Sequence, residues 1–115
     1  MKENIVQSKS YQFALRIINL SRWLRKKREF DFSSQIFRCG TSIGANIEEA
    51  LAGVSRPDFI VKMGLASKEA RETNYWLRLL RDSETMPVSK INNLIDESDE
   101  IIRLLTSIVK TCKKG

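Results

Sequence analysis

Residues 35–53, QIFRCGTSIGANIEEALAG, decide how this chain folds. Ile36, Ile43 and Ile47 recur at helical spacing and supply one apolar stripe. Gly40 and Gly44 stand four apart on a neighbouring stripe, where a core helix ordinarily carries bulk. A glycine inside a helix costs about 1 kcal/mol relative to alanine, so the pair calls for a packing reason, the close approach of another backbone. A flexible or ligand-approaching backbone is the alternative use. Arg38, Ser42, Asn46 and Glu49 form a polar ladder along a further stripe, expected to pair with other helices. The segment reads as the close-contact helix of an all-α, antiparallel up-down-up-down four-helix bundle.

Three further helices extend from it in both directions, giving expected spans of about 8–28, 33–53, 57–82 and 88–111 in a single domain over 1–115. In the first, Phe13, Ile17, Leu20 and Leu24 alternate at spacings of four and three, and the helix ends in the basic cluster Arg22, Arg25, Lys26, Lys27 and Arg28. Ser33 or Ser34 is the expected N-cap of the second helix, and Gly53 its C-cap. Ser55 and Pro57 open the third, whose seven-residue period runs through Phe59, Met63, Ala66, Ala70, Thr73, Leu77 and Leu80. A second stripe there, Val61, Leu65, Trp76 and Leu79, widens the apolar face. After the turn Ser83–Pro87, the fourth helix carries a seam through Val88, Ile91, Ile95, Ser98, Ile102, Leu105, Val109 and Cys112. Its flanking row, Leu94, Ile101 and Ile108, either widens the core or supplies an interface with another subunit. Only a few residues at each end are expected to lie outside regular structure.

Connections this short force neighbouring helices to run antiparallel, and that makes side-chain pairs predictable. With a turn centred near Ser55, Arg38 faces Glu72, and Ser42 faces Lys68 and Glu69. The same geometry puts Cys39 and Cys112 at opposite ends of the bundle, too far apart for a disulfide. It also gathers Arg78 and Arg81 at the end that holds Arg22–Arg28, and Lys110, Lys113 and Lys114 with Arg56 and Lys62 at the other, with Asp96, Glu97, Asp99 and Glu100 as an acidic belt between them.

Two prolines, five glycines and a charge of +6 without any histidine describe a basic chain of few, long elements. Its charge does not titrate near neutrality, and an acidic partner is favoured. No apolar run approaches the roughly 20 residues of a membrane span, and the amino-terminal stretch lacks a signal-peptide core, so a cytoplasmic protein away from membranes is expected. Without histidine, most catalytic triads and transition-metal sites are excluded, and no phosphate-binding glycine loop is present. Glu69 with Glu72, and Glu97 with Glu100, stand at helical neighbour spacing and offer the one route to a magnesium-dependent nucleotide hydrolase. The competing assignment is an Arg38–Glu72 ion pair and a solvated acidic face. Trp23, Tyr75 and Trp76 are candidates for base stacking, though leucine-flanked aromatics at helical spacing usually serve a core.

The run Arg38-Cys39-Gly40-Thr41-Ser42-Ile43-Gly44-Ala45-Asn46-Ile47-Glu48-Glu49-Ala50, then Phe59 and Glu69-Ala70-Arg71-Glu72-Thr73-Asn74-Tyr75-Trp76-Leu77, closely resembles the proteins encoded in intervening sequences of 23S ribosomal RNA. Lys9-Ser10-Tyr11 and Phe13-Ala14-Leu15-Arg16-Ile17 extend the likeness to the first helix. The resemblance implies a left-turning four-helix bundle and homopentameric rings. It implies no enzymatic activity, and places the family motif on Arg38, Ser42, Asn46, Glu49 and Glu72 as structural or interfacial residues. A related branch, the accessory variability determinants of diversity-generating retroelements, is basic and associates with reverse transcriptase and nucleic acid. The resulting expectation is a non-enzymatic homo-oligomer without cofactor or metal, binding RNA or a ribonucleoprotein through Arg22, Arg25, Lys26, Lys27, Arg28, Arg78 and Arg81. A protein-interaction scaffold using the flanking row of the fourth helix is the alternative.

Overall fold

A computed structural model describes residues 2–114. Met1 and Gly115, the outermost positions of the expected domain, lie outside the described residues. Four helices account for nearly all of the rest: α1 Lys2–Lys26, α2 Phe30–Leu51, α3 Arg56–Asp82 and α4 Val88–Lys114. They form a rod of 46 × 20 × 18 Å. Each helix packs on two neighbours, with α1 and α4 closing the ring and the diagonal pairs apart. Cross-helix partners establish direction. Gln7 meets Glu48 while Ser21 meets Ser33, so α2 falls as α1 rises. Glu49 with Lys62 and Arg38 with Glu72 do the same for α2 and α3. Arg71 with Thr106 and Asn74 with Ser98 orient α4 against α3, and Lys9 with Glu100 closes it against α1.

The expected stripes supply most of the core, but the α4 seam is shifted: Val88 is exposed and Ile102, Val109 and Cys112 are only partly buried, as is Phe59 of α3. Phe13, Ile17 and Leu24 of α1, Ile36, Ile43 and Ile47 of α2, Met63, Ala66, Ala70 and Leu77 of α3, and Ile91 and Leu105 of α4 are fully buried. The flanking row of α4 belongs to this core as well: Leu94, Ile101 and Ile108 are all buried, so it leaves no spare apolar face on that helix. The second stripe of α3 divides instead, with Trp76 packed on the core and Val61, Leu65 and Leu79 exposed.

Several boundaries differ from the sequence expectation, each for a local reason. α1 begins at Lys2 because Val6 lies one heptad before Phe13 on the same buried stripe. α2 begins at Phe30, with Glu29 at the N-cap and no side-chain cap, so neither Ser33 nor Ser34 caps it. Ser33 is buried and faces Ser21 of α1: each hydroxyl donates to the other residue's carbonyl oxygen, at 2.8 and 3.0 Å. Gly53 does not take a left-handed cap conformation, and the residues that do are Arg28 (φ 64°) and Glu84 (φ 58°). Both follow a helix of the same end of the bundle. In each turn the next amide reaches back to a carbonyl five residues earlier, Glu29 to Leu24 and Thr85 to Leu80, which satisfies a helix-terminal acceptor. Ser55 does cap α3, accepting from the Asp58 amide at 3.2 Å.

The two α2 glycines are not equivalent. A Cβ on Gly40 would lie 2.7 and 2.9 Å from the two γ-carbons of Ile17, a β-branched core residue with little freedom to move. A Cβ on Gly44 would meet Ser10 at 3.5 Å, an ordinary contact. Gly40→Ala is therefore expected to destabilise the protein by about 1–2 kcal/mol, overpacking outweighing the gain in helix propensity. Gly44→Ala should leave stability unchanged or raise it by up to about 1 kcal/mol. Urea denaturation of the two variants checks the contrast.

Candidate nucleic-acid interface and the polar joint of α2 and α3

Antiparallel packing brings the C-termini of α1 and α3 to one end of the rod. Arg22, Arg25, Lys26, Lys27 and Arg28 are all exposed there, and none has an ion-pair partner among the described residues. Their charge offsets the negative end of the α1 dipole without being consumed by a carboxylate. Lys27 lies over the Trp23 ring, 5.6 Å from its centroid, so Trp23 carries a cation on its face and packs its body on the core.

The α3 members of the cluster are held more firmly. Arg78 donates to Asn74 Oδ1 at 2.8 Å and sits 5.9 Å from the Tyr75 centroid. Arg81 is tied to Asp82 by bonds of 2.7 and 3.3 Å. This pairing holds the Asp82 carboxyl below the usual carboxylate range and raises Arg81. The structure thus gathers all seven expected cations at one end, six of them without a carboxylate partner, with Lys27 over Trp23, Arg78 held by Asn74 and Arg81 paired with Asp82.

Midway along the rod, α2 and α3 are joined by a second polar group. Arg38 pairs with Glu72 and stands 3.6 Å from Glu69. Glu72 also accepts from the Trp76 indole at 3.4 Å, and Trp76 in turn meets Phe32 edge-on, with ring centroids 6.2 Å apart. Glu69 Oε2 is buried and accepts no hydrogen bond, so the Arg38 charge is its compensation. Further along, Glu49 reaches Lys62 at 2.9 Å and raises that lysine's pKa. Ser42 and Asn46 do not complete a ladder between helices. Ser42 donates to the Arg38 carbonyl at 2.6 Å and Asn46 to the Ser42 carbonyl at 2.9 Å, both within α2. Short polar side chains in a helix have their own backbone within reach, whereas Arg38 and Glu49 are long enough to cross to α3.

Both carboxylate pairs considered for magnesium face cations instead. Glu69 and Glu72 share Arg38, while Glu97 pairs with Arg16 and Glu100 with Lys9. No group of three or more His, Cys, Asp or Glu side chains suited to a metal ion occurs among the described residues. Nor is any described helix long and apolar enough to cross a membrane.

One buried polar node, centred on Asn74, leaves only a faint trace in the sequence. Asn74 donates to Ser98 Oγ at 2.9 Å and to Asp99 Oδ1 at 3.0 Å, linking α3 to α4, and its carbonyl oxygen positions Arg78. The available signal was an asparagine beside the Thr73 seam position, opposite a serine in an otherwise apolar α4 seam.

A family model described as 23S rRNA-intervening sequence protein matches residues 2–107. The chain belongs to this family. A crystal structure from Bacteroides thetaiotaomicron, described as a protein with unknown function from the S23 ribosomal protein family, is similar over 96% of this chain and 99% of its own. Sequence identity is 49% and the TM-score 0.91, so this member of the 23S rRNA-intervening sequence proteins shares its fold throughout. No match was found among curated proteins.

Cys39 and Cys112 are free thiols, buried and half-buried respectively. Burial pushes the Cys39 thiol up, opposed by a Thr73 hydrogen bond and reinforced by Glu72. Its reactive thiolate is therefore suppressed at pH 8. Titration of the folded protein with a disulfide reagent at that pH should give one accessible thiol, which Cys112→Ser removes and Cys39→Ser does not.

Proposed function

We propose that this family member is a non-enzymatic, self-associating bundle that engages RNA or a ribonucleoprotein through the basic end of α1 and α3. The observation that carries this reading is the set of five exposed cations, Arg22, Arg25, Lys26, Lys27 and Arg28, without an ion-pair partner among the described residues. Phosphate contacts of this kind confer affinity without sequence preference and release counterions on binding. The family description, which connects its members with intervening sequences of 23S rRNA, supports RNA as the polyanion. Self-association multiplies a modest patch by bringing several copies to one strand. Exposed Tyr11, Leu15, Phe30 and Phe37 on α1 and α2 supply apolar surface for it, and the related homopentamers set the expected subunit number.

Binding to a structured RNA hairpin should weaken on the order of 100-fold between about 50 and 200 mM salt, as four or five phosphate contacts require. The charge-reversed variant Arg25→Glu/Lys26→Glu/Lys27→Glu/Arg28→Glu should lose most of that affinity. Filter binding that is equal for the variant and the parent protein would refute the assignment. Light scattering should return a mass about five times that of the 13.3 kDa chain, and a monomer would remove the multivalent part of the reading.

The second reading, a protein-interaction scaffold, draws on the same exposed α1 and α2 residues, since the flanking row of α4 is in the core. Partner capture that survives nuclease and is lost on Leu15→Ser/Phe37→Ser would favour it.

A further inference from the structure

Gly64 is a helix-interior glycine that internal packing does not explain. A Cβ placed on it would meet nothing within 4 Å, so alanine or a larger residue would fit and would favour the helix. The glycine opens a groove of about 400 Å³ between α3 and the last turns of α4, within the size range of small-molecule sites. Ser67, Thr106 and Val109 line it with Gly64, as do Arg71, Lys110 and Lys113. No carboxylate lines this groove. None of the three cations has an ion-pair partner among the described residues. Arg71 is steadied by donating one guanidinium N–H to Thr106 Oγ1 at 3.1 Å, which leaves its other donors free.

We infer that this groove is a nucleoside-phosphate subsite. The side-chain-free helix surface at Gly64, continued by Val109, lets a flat base or a sugar lie close to α3, while Arg71, Lys110 and Lys113 meet the phosphate. Arginine contributes a planar fork and the lysines mobile point charges, the combination that phosphate recognition uses. A second copy of the chain is the less favoured occupant, because none of the large exposed apolar side chains lines the groove. The subsite lies toward the opposite end of the rod from Arg22–Arg28, and it does not depend on that cluster binding RNA.

Two probes test it: UMP by calorimetry, and a fluorescein-labelled ten-nucleotide oligouridylate by anisotropy. The parent protein should bind at least one of them. UMP binding identifies a free nucleotide as sufficient, and oligouridylate binding alone identifies a strand as the source. With three phosphate-facing cations, oligouridylate affinity should fall about 10- to 20-fold between roughly 50 and 200 mM salt. Lys110→Glu/Lys113→Glu should weaken binding at least tenfold. Gly64→Leu should do the same by filling the floor, with melting temperature not lowered and solution mass unchanged. The charge-reversed α1 variant should retain the groove's ligand, which separates this site from the basic end even if structured RNA proves not to bind there. The inference is overturned if neither probe binds, if Gly64→Leu binds as the parent does, or if Gly64→Leu changes the light-scattering mass, which would make the groove a contact between copies.

Discussion

The separation between α1 and α2 is set at Gly40, where Ile17 occupies the space that any side chain would need. At that spacing the serines of two helices can reach each other's carbonyls, and Ser21 and Ser33 do so in a buried reciprocal pair. Reciprocity matters energetically. Each hydroxyl leaves water, and each recovers a partner, so the pair adds little net stability yet would be costly to misalign. A slip of α2 along α1 would bury unpaired hydroxyls and drive Ile17 into a position that has a Cβ. The register of this first hairpin follows, and α2 then presents Arg38 and Glu49 to α3 at the heights where Glu72 and Lys62 stand.

Stability and charge are largely separate concerns in this molecule. The apolar stripes of four long helices close around a continuous core, which supplies the main driving force. The ion pairs around the middle of the rod are exposed or partly so, and pairs of that kind contribute little individually. They do consume charge, however. Arg16, Lys9, Arg38 and Lys62 are each matched by a carboxylate. Positive charge without such a match stands at the C-terminus of α1 and in the groove between α3 and α4, and also at Arg56, Lys68, Lys90 and Arg103 elsewhere on the rod.

The residues that carry the family likeness serve the fold in this structure. Gly40 sets a helix separation, Arg38 and Glu72 join α2 to α3, and Asn46 bonds within its own helix. Arg28 and Glu84 illustrate a related compromise. Each occupies a left-handed position that glycine would take with less strain, and each terminates a helix at the basic end.

Much of the architecture is legible in the sequence because helical periodicity is a local property. The stripe of α1 through Phe13, Ile17 and Leu24, and that of α3 through Met63, Ala70 and Leu77, show which faces turn inward before any neighbour is known. Short turns then force antiparallel order, and that order alone is enough to bring Arg38 to Glu72 and to part the two cysteines. Features that depend on distance between helices are not legible in this way. Gly40 and Gly44 look alike in sequence, yet only Gly40 is needed, because the separation of two helices varies along their crossing. Ser33 looks like a cap until Ser21 is found beside it. Leu94, Ile101 and Ile108 look surplus until the core is seen to be wide enough to take them. Gly64 attracts no notice until its surroundings prove empty. Periodicity assigns a residue to a face of its own helix; what lies against that face, and how near, is a property of the packed helices together.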